Sequence, residues 1–387
     1  MRIGARHHFT YEDGTFYRPV GTTCYAWNNQ DDDLAARTLH TLSGAPFNKL
    51  RMCVFPKHYD FNANEPPSYA FAPGSASSSG RWDYSRFDPG FFRRLEGQIA
   101  ALAKLGIEAD LILFHPYDRW GFADMGAEND ERYLRHVVAR LAAFRNVWWS
   151  LSNEYDLMPW KTIADWDRLF KIVQECDPWD HLRSIHNCRP FYDHGKPWIT
   201  QCSIQHGDLS LATDWLGQFG KPVVVDECKY EGNLPLRWGD LTAQEMVNRF
   251  WEGFARGAYV GHGETYLRER DEIWWAKGGD LVGGSPARIA FLRSILEEGP
   301  AEGLEPANLG KTVHAVSGVG DSYFLIYLGS GQPAYKNLTL PEGRRYEADI
   351  IDAWDMTVTR AGGACEGACR IELPGKPYIA IRLRKIG

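Results

Sequence analysis

Short apolar runs alternate along most of the chain with longer segments whose apolar positions recur every three to four residues, the rhythm of repeated βα units around a parallel sheet. Eight runs read as strands, at 17–25, 49–55, 109–115, 147–153, 182–187, 199–205, 222–227 and 258–264. Helical spacing follows most of them. The segment 91–105 carries an apolar stripe and stops at Gly106, and 132–144 and 166–176 behave likewise, the last ending before Asp177-Pro178. This pattern predicts a (β/α)8 TIM barrel over residues 1–298. Beyond Leu296 the rhythm changes to alternating segments at 323–328, 346–351 and 378–383 with turn residues between them, which predicts a small C-terminal antiparallel β-sandwich over 299–387. Its expected role is a packed structural appendage rather than an independent sugar-binding module.

Composition narrows the function. The 387 residues carry a formal charge of −7 with no long run of one sign, so there is no electrostatic footprint for nucleic acid. No segment approaches the roughly 20 apolar residues of a membrane span, and the N-terminus shows no apolar stretch of signal-peptide length. The expectation is a soluble, cytoplasmic protein without a membrane partner; its oligomeric state is not legible. Eight cysteines, several inside apolar runs, read as buried thiols of a reducing compartment. Cys365 and Cys369 flank a Gly-rich stretch and are the one pair placed to bridge a hairpin. No spacing supports a zinc site. The 15 Trp, 18 Tyr and 19 Phe serve either a large core or sugar-stacking surfaces, and both readings stand at this point.

In such a barrel the chemistry belongs at the C-terminal ends of the strands. Those ends are rich in acids and histidines. Strand two carries Arg51, strand three ends in His115-Pro116-Tyr117-Asp118, strand four in Asn153-Glu154 and strand five in His186-Asn187. Strand six ends in Gln205-His206, strand seven in Asp226-Glu227 and strand eight in His262-Gly263-Glu264. Glycosidic bond cleavage uses two carboxyl groups, about 5–5.5 Å apart in a retaining enzyme. Glu154 and Glu227, closing strands four and seven, are the candidates. Asn153 is expected to bond a sugar hydroxyl, Arg51 to hold Glu227 ionised, and an apolar wall to raise the pKa of Glu154.

The segment Val147-Trp148-Trp149-Ser150-Leu151-Ser152-Asn153-Glu154 resembles the strand-four signature of clan A glycoside hydrolases, and Val223-Val224-Val225-Asp226-Glu227 resembles their strand-seven segment. The whole chain resembles a bacterial group akin to family five in which a barrel precedes a small β-sandwich. Phe114-His115-Pro116-Tyr117-Asp118 and Asp226-Glu227-Cys228-Lys229-Tyr230-Glu231-Gly232-Asn233 are among the segments that carry this likeness. The resemblance implies Glu154 as general acid/base, Glu227 as nucleophile, Arg51 as the strand-two arginine and His206 as a strand-six substrate residue. It also implies a retaining hydrolase acting on a terminal β-linked glycoside or oligosaccharide without a cofactor. The chain departs from family five at the ends of strands six and eight, Gln205-His206-Gly207 and Gly263-Glu264-Thr265, so substrate specificity does not carry over.

Glu264 is a second carboxyl able to bind a hydroxyl or act as nucleophile, and His115 and His186 either bind substrate or satisfy neighbours. Asp118, Trp120 and Trp274, with Trp275 beside it, lie beyond strand ends where they can build sugar subsites. The loop 58–89, holding Tyr59, Tyr69, Trp82, Tyr84 and a Ser-rich run at 75–80, is long enough to wall off one side of the pocket and favour attack on chain ends. Two rival readings are a metal-dependent barrel hydrolase using His115, His186, His206 and Glu227, and a sugar-binding protein whose barrel has lost catalysis.

Overall fold

A computed structural model describes residues 1–4, 6–74, 81–309 and 314–387; the Ser-rich run at 75–80 lies outside them. Eight parallel strands form the centre: β1 (Gly21–Thr23), β2 (Lys49–Cys53), β3 (Glu108–Phe114), β4 (Val147–Ser152), β5 (Arg183–Ser184), β6 (Cys202–Gln205), β7 (Val223–Glu227) and β8 (Tyr259–His262). They pair in sequence order, β8 returns to β1, and a parallel bridge between His186 and Ser203 joins the β5 and β6 sides. The predicted barrel is therefore present. The first predicted strand is shorter than expected: Phe16–Tyr17 belongs to a separate antiparallel sheet, and Pro19, which has no N–H to give a ladder, falls in the gap before β1.

Side chains alternate along the strands, so Leu50 and Met52 of β2, and Ala109, Leu111 and Leu113 of β3, belong to the apolar shell shared with the helices. The opposite face carries charge. Lys49 Nζ lies 2.5 Å from Asp110 Oδ2 and 2.7 Å from Asp226 Oδ1, and Arg51 lies 3.6 and 3.9 Å from the same two carboxylates. Ser203 Oγ donates to Asp226 Oδ2 at 2.6 Å. All four charged groups are at least 97% buried. Burial opposes ionisation of Asp226, but Lys49 and Arg51 outweigh it and hold this carboxyl below its ordinary range.

Surrounding helices begin earlier than the apolar stripes predict. Asp88 caps Pro89–Lys104, and Thr162 with Asp165 forms a reciprocal capping box on Ile163–Cys176, so each starts a few residues upstream of its first strongly periodic position. After the barrel, strands Ala315–Val319, Tyr323–Tyr327, Ile379–Ile386, Arg345–Asp352 and Thr357–Arg360 lie side by side in an antiparallel sheet. One face (Tyr323, Leu325, Tyr327) shares a core with helices Ala243–Ala255 and Ser285–Glu297, and Trp251 stacks on Tyr327. The other (Phe324, Ile326, Leu383) packs on Leu338 and Ile371 of a two-stranded layer. The sandwich is thus lopsided and fixed to the barrel. No helix among the described residues is long and apolar enough to cross a membrane. Cys365 and Cys369 are both free thiols.

Candidate active site

A cavity of about 490 Å³ is lined by residues from the C-terminal strand ends and the loops that follow them, Glu154 and Glu227 among them. Both are buried, at 6% and 8% exposure. Glu154 follows β4 with a left-handed backbone, φ 46° and ψ 54°, and its carbonyl accepts from Leu157 in the short 3-10 turn that comes next. A non-glycine residue held there stores strain on the order of 1–3 kcal/mol, and such strain collects at functional sites.

The two carboxyls are held by separate donors that stand side by side. Arg51 Nη2 donates to Asn153 Oδ1 at 2.8 Å. A guanidinium has donors only, so the amide oxygen of Asn153 must face it, and the amide nitrogen then donates to Glu154 Oε2 at 3.2 Å. The hydroxyl of Tyr25 lies 3.2 Å from the same Asn153 oxygen and donates to Glu227 Oε1. Tyr117 donates to Glu154 Oε2. Gln205, with its amide nitrogen turned toward the acceptors around it, donates to Glu154 Oε1 at 3.1 Å. Glu154 is thus held by polar donors, not by the apolar wall that was expected.

Burial acts strongly on Glu227. Desolvation pushes its pKa up to about 7, opposed by the nearby Tyr230 phenol. Arg51 does not hold it ionised as expected, because its guanidinium is spent on Asn153, Ser150, Asp110 and Asp226. His186 Nε2 lies 3.9 Å from Glu227 Oε1, but burial and then Arg51 hold its pKa well below the usual range, so it faces Glu227 as a neutral ring.

Of the other expected substrate residues, only His206 lies on the cavity wall among the described residues. Asn153 stands directly behind Glu154. His115 is buried and lies 3.3 Å from the Phe55 carbonyl. Asp118 folds its own loop by accepting from the backbone of Trp120, Gly121 and Ala123, and Trp120 is buried with its indole N–H on Glu65. Trp274 is in the core, donating to Thr22; Trp275 takes the place on the wall. Glu264 accepts from the backbone of Val282 and Gly283 at 2.8 Å each and pins that loop. Tyr25, Lys57, Tyr117, Lys229, Tyr230 and Trp238 line the cavity and were not among the expected site residues. From loop 58–89, Tyr59 reaches the wall, whereas Tyr69 and Trp82 pack on Phe122. The histidines proposed as metal ligands do not assemble, and no group of three His, Cys, Asp or Glu side chains placed to hold a metal occurs among the described residues.

A family described as "Apiosidase-like, catalytic domain" matches residues 5–285, and one described as a domain of unknown function (DUF5605) matches residues 313–384. A candidate glycoside hydrolase from Bacteroides vulgatus ATCC 8482 is 40% identical over 99% of this chain and 82% of its own, with a TM-score of 0.94. A family 5 glycoside hydrolase from the same organism shares the fold at 15% identity, covering 99% of this chain and 93% of its own with a TM-score of 0.72. An endo-1,4-β-mannanase from Rhizomucor miehei shares the barrel at 12% identity over 76% of this chain and 100% of its own, TM-score 0.52. No curated protein sequence matches the chain.

Proposed function

This chain belongs to the family of apiosidase-like catalytic domains and is a glycoside hydrolase; on that premise we propose that it cleaves a terminal β-glycosidic bond with retention, Glu227 acting as nucleophile and Glu154 as general acid/base. The observation that carries this reading is that two buried carboxyl groups, from β4 and β7, line one cavity, each held by a donor of its own, Asn153 on Glu154 and Tyr25 on Glu227. In the first step Glu227 attacks the anomeric carbon while Glu154 gives its proton to the departing oxygen; in the second Glu154 takes a proton from the water that releases the sugar. Tyr25 donates to Glu227 and so favours its ionised form. Asn153, oriented by Arg51, is placed to donate at the acid/base. Asn153→Ala is expected to lower kcat by about 10²-fold, measurable by steady-state kinetics, with the fold intact by circular dichroism.

The raised pKa of Glu227 favours a second reading in which the roles are exchanged, since a general acid is the carboxyl usually pushed up. The sign of the pH profile separates the two. If Glu227 is the nucleophile it must be ionised, so kcat/KM falls about tenfold per unit as pH drops below about 7. If it is the acid, kcat/KM falls instead as pH rises above that value. The substrate panel for these measurements is a set of aryl β-glycosides that includes an apioside, because the family description names that activity. Retention of anomeric configuration, followed by NMR, is the expected outcome; an inverted product contradicts the reading.

A further inference from the structure

Lys57 follows β2 and is a buried cation on the cavity wall, 4% exposed. Its Nζ lies 3.4 Å from the ring centroid of Tyr25, 4.3 Å from that of Tyr117 and 4.9 Å from that of Trp275. Aromatic faces stabilise a cation but accept no conventional hydrogen bond from it, and an ammonium has three donors to place. Among the described residues this ammonium has no carboxylate or carbonyl partner, although a buried charge without one is costly. Its cage is built from the phenols that serve the two carboxyls, Tyr25 on Glu227 and Tyr117 on Glu154, so Lys57 stands on the wall of the same cavity beside the partners of both.

Charge around the cavity points the same way. Arg189, Lys229 and Arg237 also line it, and none forms an ion pair among the described residues. Against these four cations stand two acidic side chains, Glu154 and Glu227. Lys229 is held in a left-handed backbone conformation, φ 71°, beside the strand that carries Glu227. Burial lowers the pKa of Lys57 to about 8, so at neutral pH it still carries its proton.

Resting on the glycosidase reading, we propose that the cavity takes an acidic sugar and that Lys57 binds its anionic substituent, a uronate carboxylate or a sulfate ester, in the subsite of the sugar whose bond is cut. A charge-assisted hydrogen bond in this buried cage discriminates against the neutral sugar, which offers only a hydroxyl at that position.

The test is calorimetric binding of the methyl β-glycosides of a hexuronic acid, the matching 6-sulfated hexose and the neutral hexose to the full chain and to Lys57→Met. At least one anionic sugar is expected to bind the wild type roughly 10- to 100-fold more tightly than the neutral one. Which one does so identifies the group. Lys57→Met, whose apolar side chain fills the same aromatic cage, is expected to melt no lower than the wild type and to lose the preference. Equal binding of anionic and neutral sugars, absence of anionic binding, or a preference that survives in Lys57→Met overturns the proposal. Retaining turnover of neutral aryl glycosides alongside equal affinities leaves the hydrolase reading standing and removes only this one.

Discussion

Replacing Glu227 by alanine is expected to lower kcat by about 10⁴-fold or more on every substrate, since an enzyme that loses its nucleophile keeps only binding and electrostatic assistance. Glu154→Ala should behave differently. Its loss depends on how much help the leaving group needs: about 10²- to 10⁴-fold for an alkyl glycoside that requires protonation, and far less in the first step for an activated aryl glycoside. Steady-state and pre-steady-state kinetics on both substrate types check this, with a burst of released phenol marking an accumulating glycosyl-enzyme in Glu154→Ala. A substrate-independent loss in Glu154→Ala combined with a leaving-group-dependent loss in Glu227→Ala would exchange the two roles.

The second large effect is on stability. Lys49 lies between Asp110 and Asp226, inside the barrel and away from solvent. Lys49→Met leaves both carboxylates with Arg51 at 3.6 and 3.9 Å as their remaining cation. Breaking a buried ion cluster from one side costs about 3–5 kcal/mol because the orphaned charge stays desolvated. Chemical denaturation should show a loss of this size with an unchanged denaturant slope, and a loss under about 1 kcal/mol would mean that Arg51 alone neutralises the pair. The same variant is expected to disturb catalysis indirectly, because Arg51 also orients Asn153.

The barrel was legible because parallel strands buried on both sides read as apolar runs, and the intervening helices carry a stripe at helical spacing. What escaped was punctuation. Pro19 ends the pairing of one segment before the next begins, and the caps at Asp88 and Thr162 extend helices beyond their apolar faces. At the site, Glu154 and Glu227 were readable as acids closing β4 and β7, because strand ends converge on one face in this architecture. Their environments were not. Arg51 was expected at Glu227, but the register that puts Arg51 opposite Asp110 commits it to the buried cluster.

Most of the tryptophans belong to the interior, with Trp27, Trp148, Trp149, Trp166, Trp251 and Trp274 fully buried, while Trp238 and Trp275 line the cavity. Adjacent residues on one short helix face different ways, and spacing alone does not say whether Trp274 or Trp275 turns outward. Lys57 and Tyr117 gave weaker signals still. Each stands just past a strand end, Tyr117 inside a segment singled out for other residues, and only the packing of three aromatic rings brings them together.

Azide rescue with product analysis by NMR tests the assignment of the two carboxyls most directly. In Glu227→Ala the small anion should occupy the space of the missing carboxylate and attack the anomeric carbon from that side, giving the α-glycosyl azide from a β-glycoside. In Glu154→Ala it should attack the glycosyl-enzyme from the opposite side and give the β-azide. A β-azide from Glu227→Ala, or near-normal turnover by that variant without azide, would contradict Glu227 as the nucleophile.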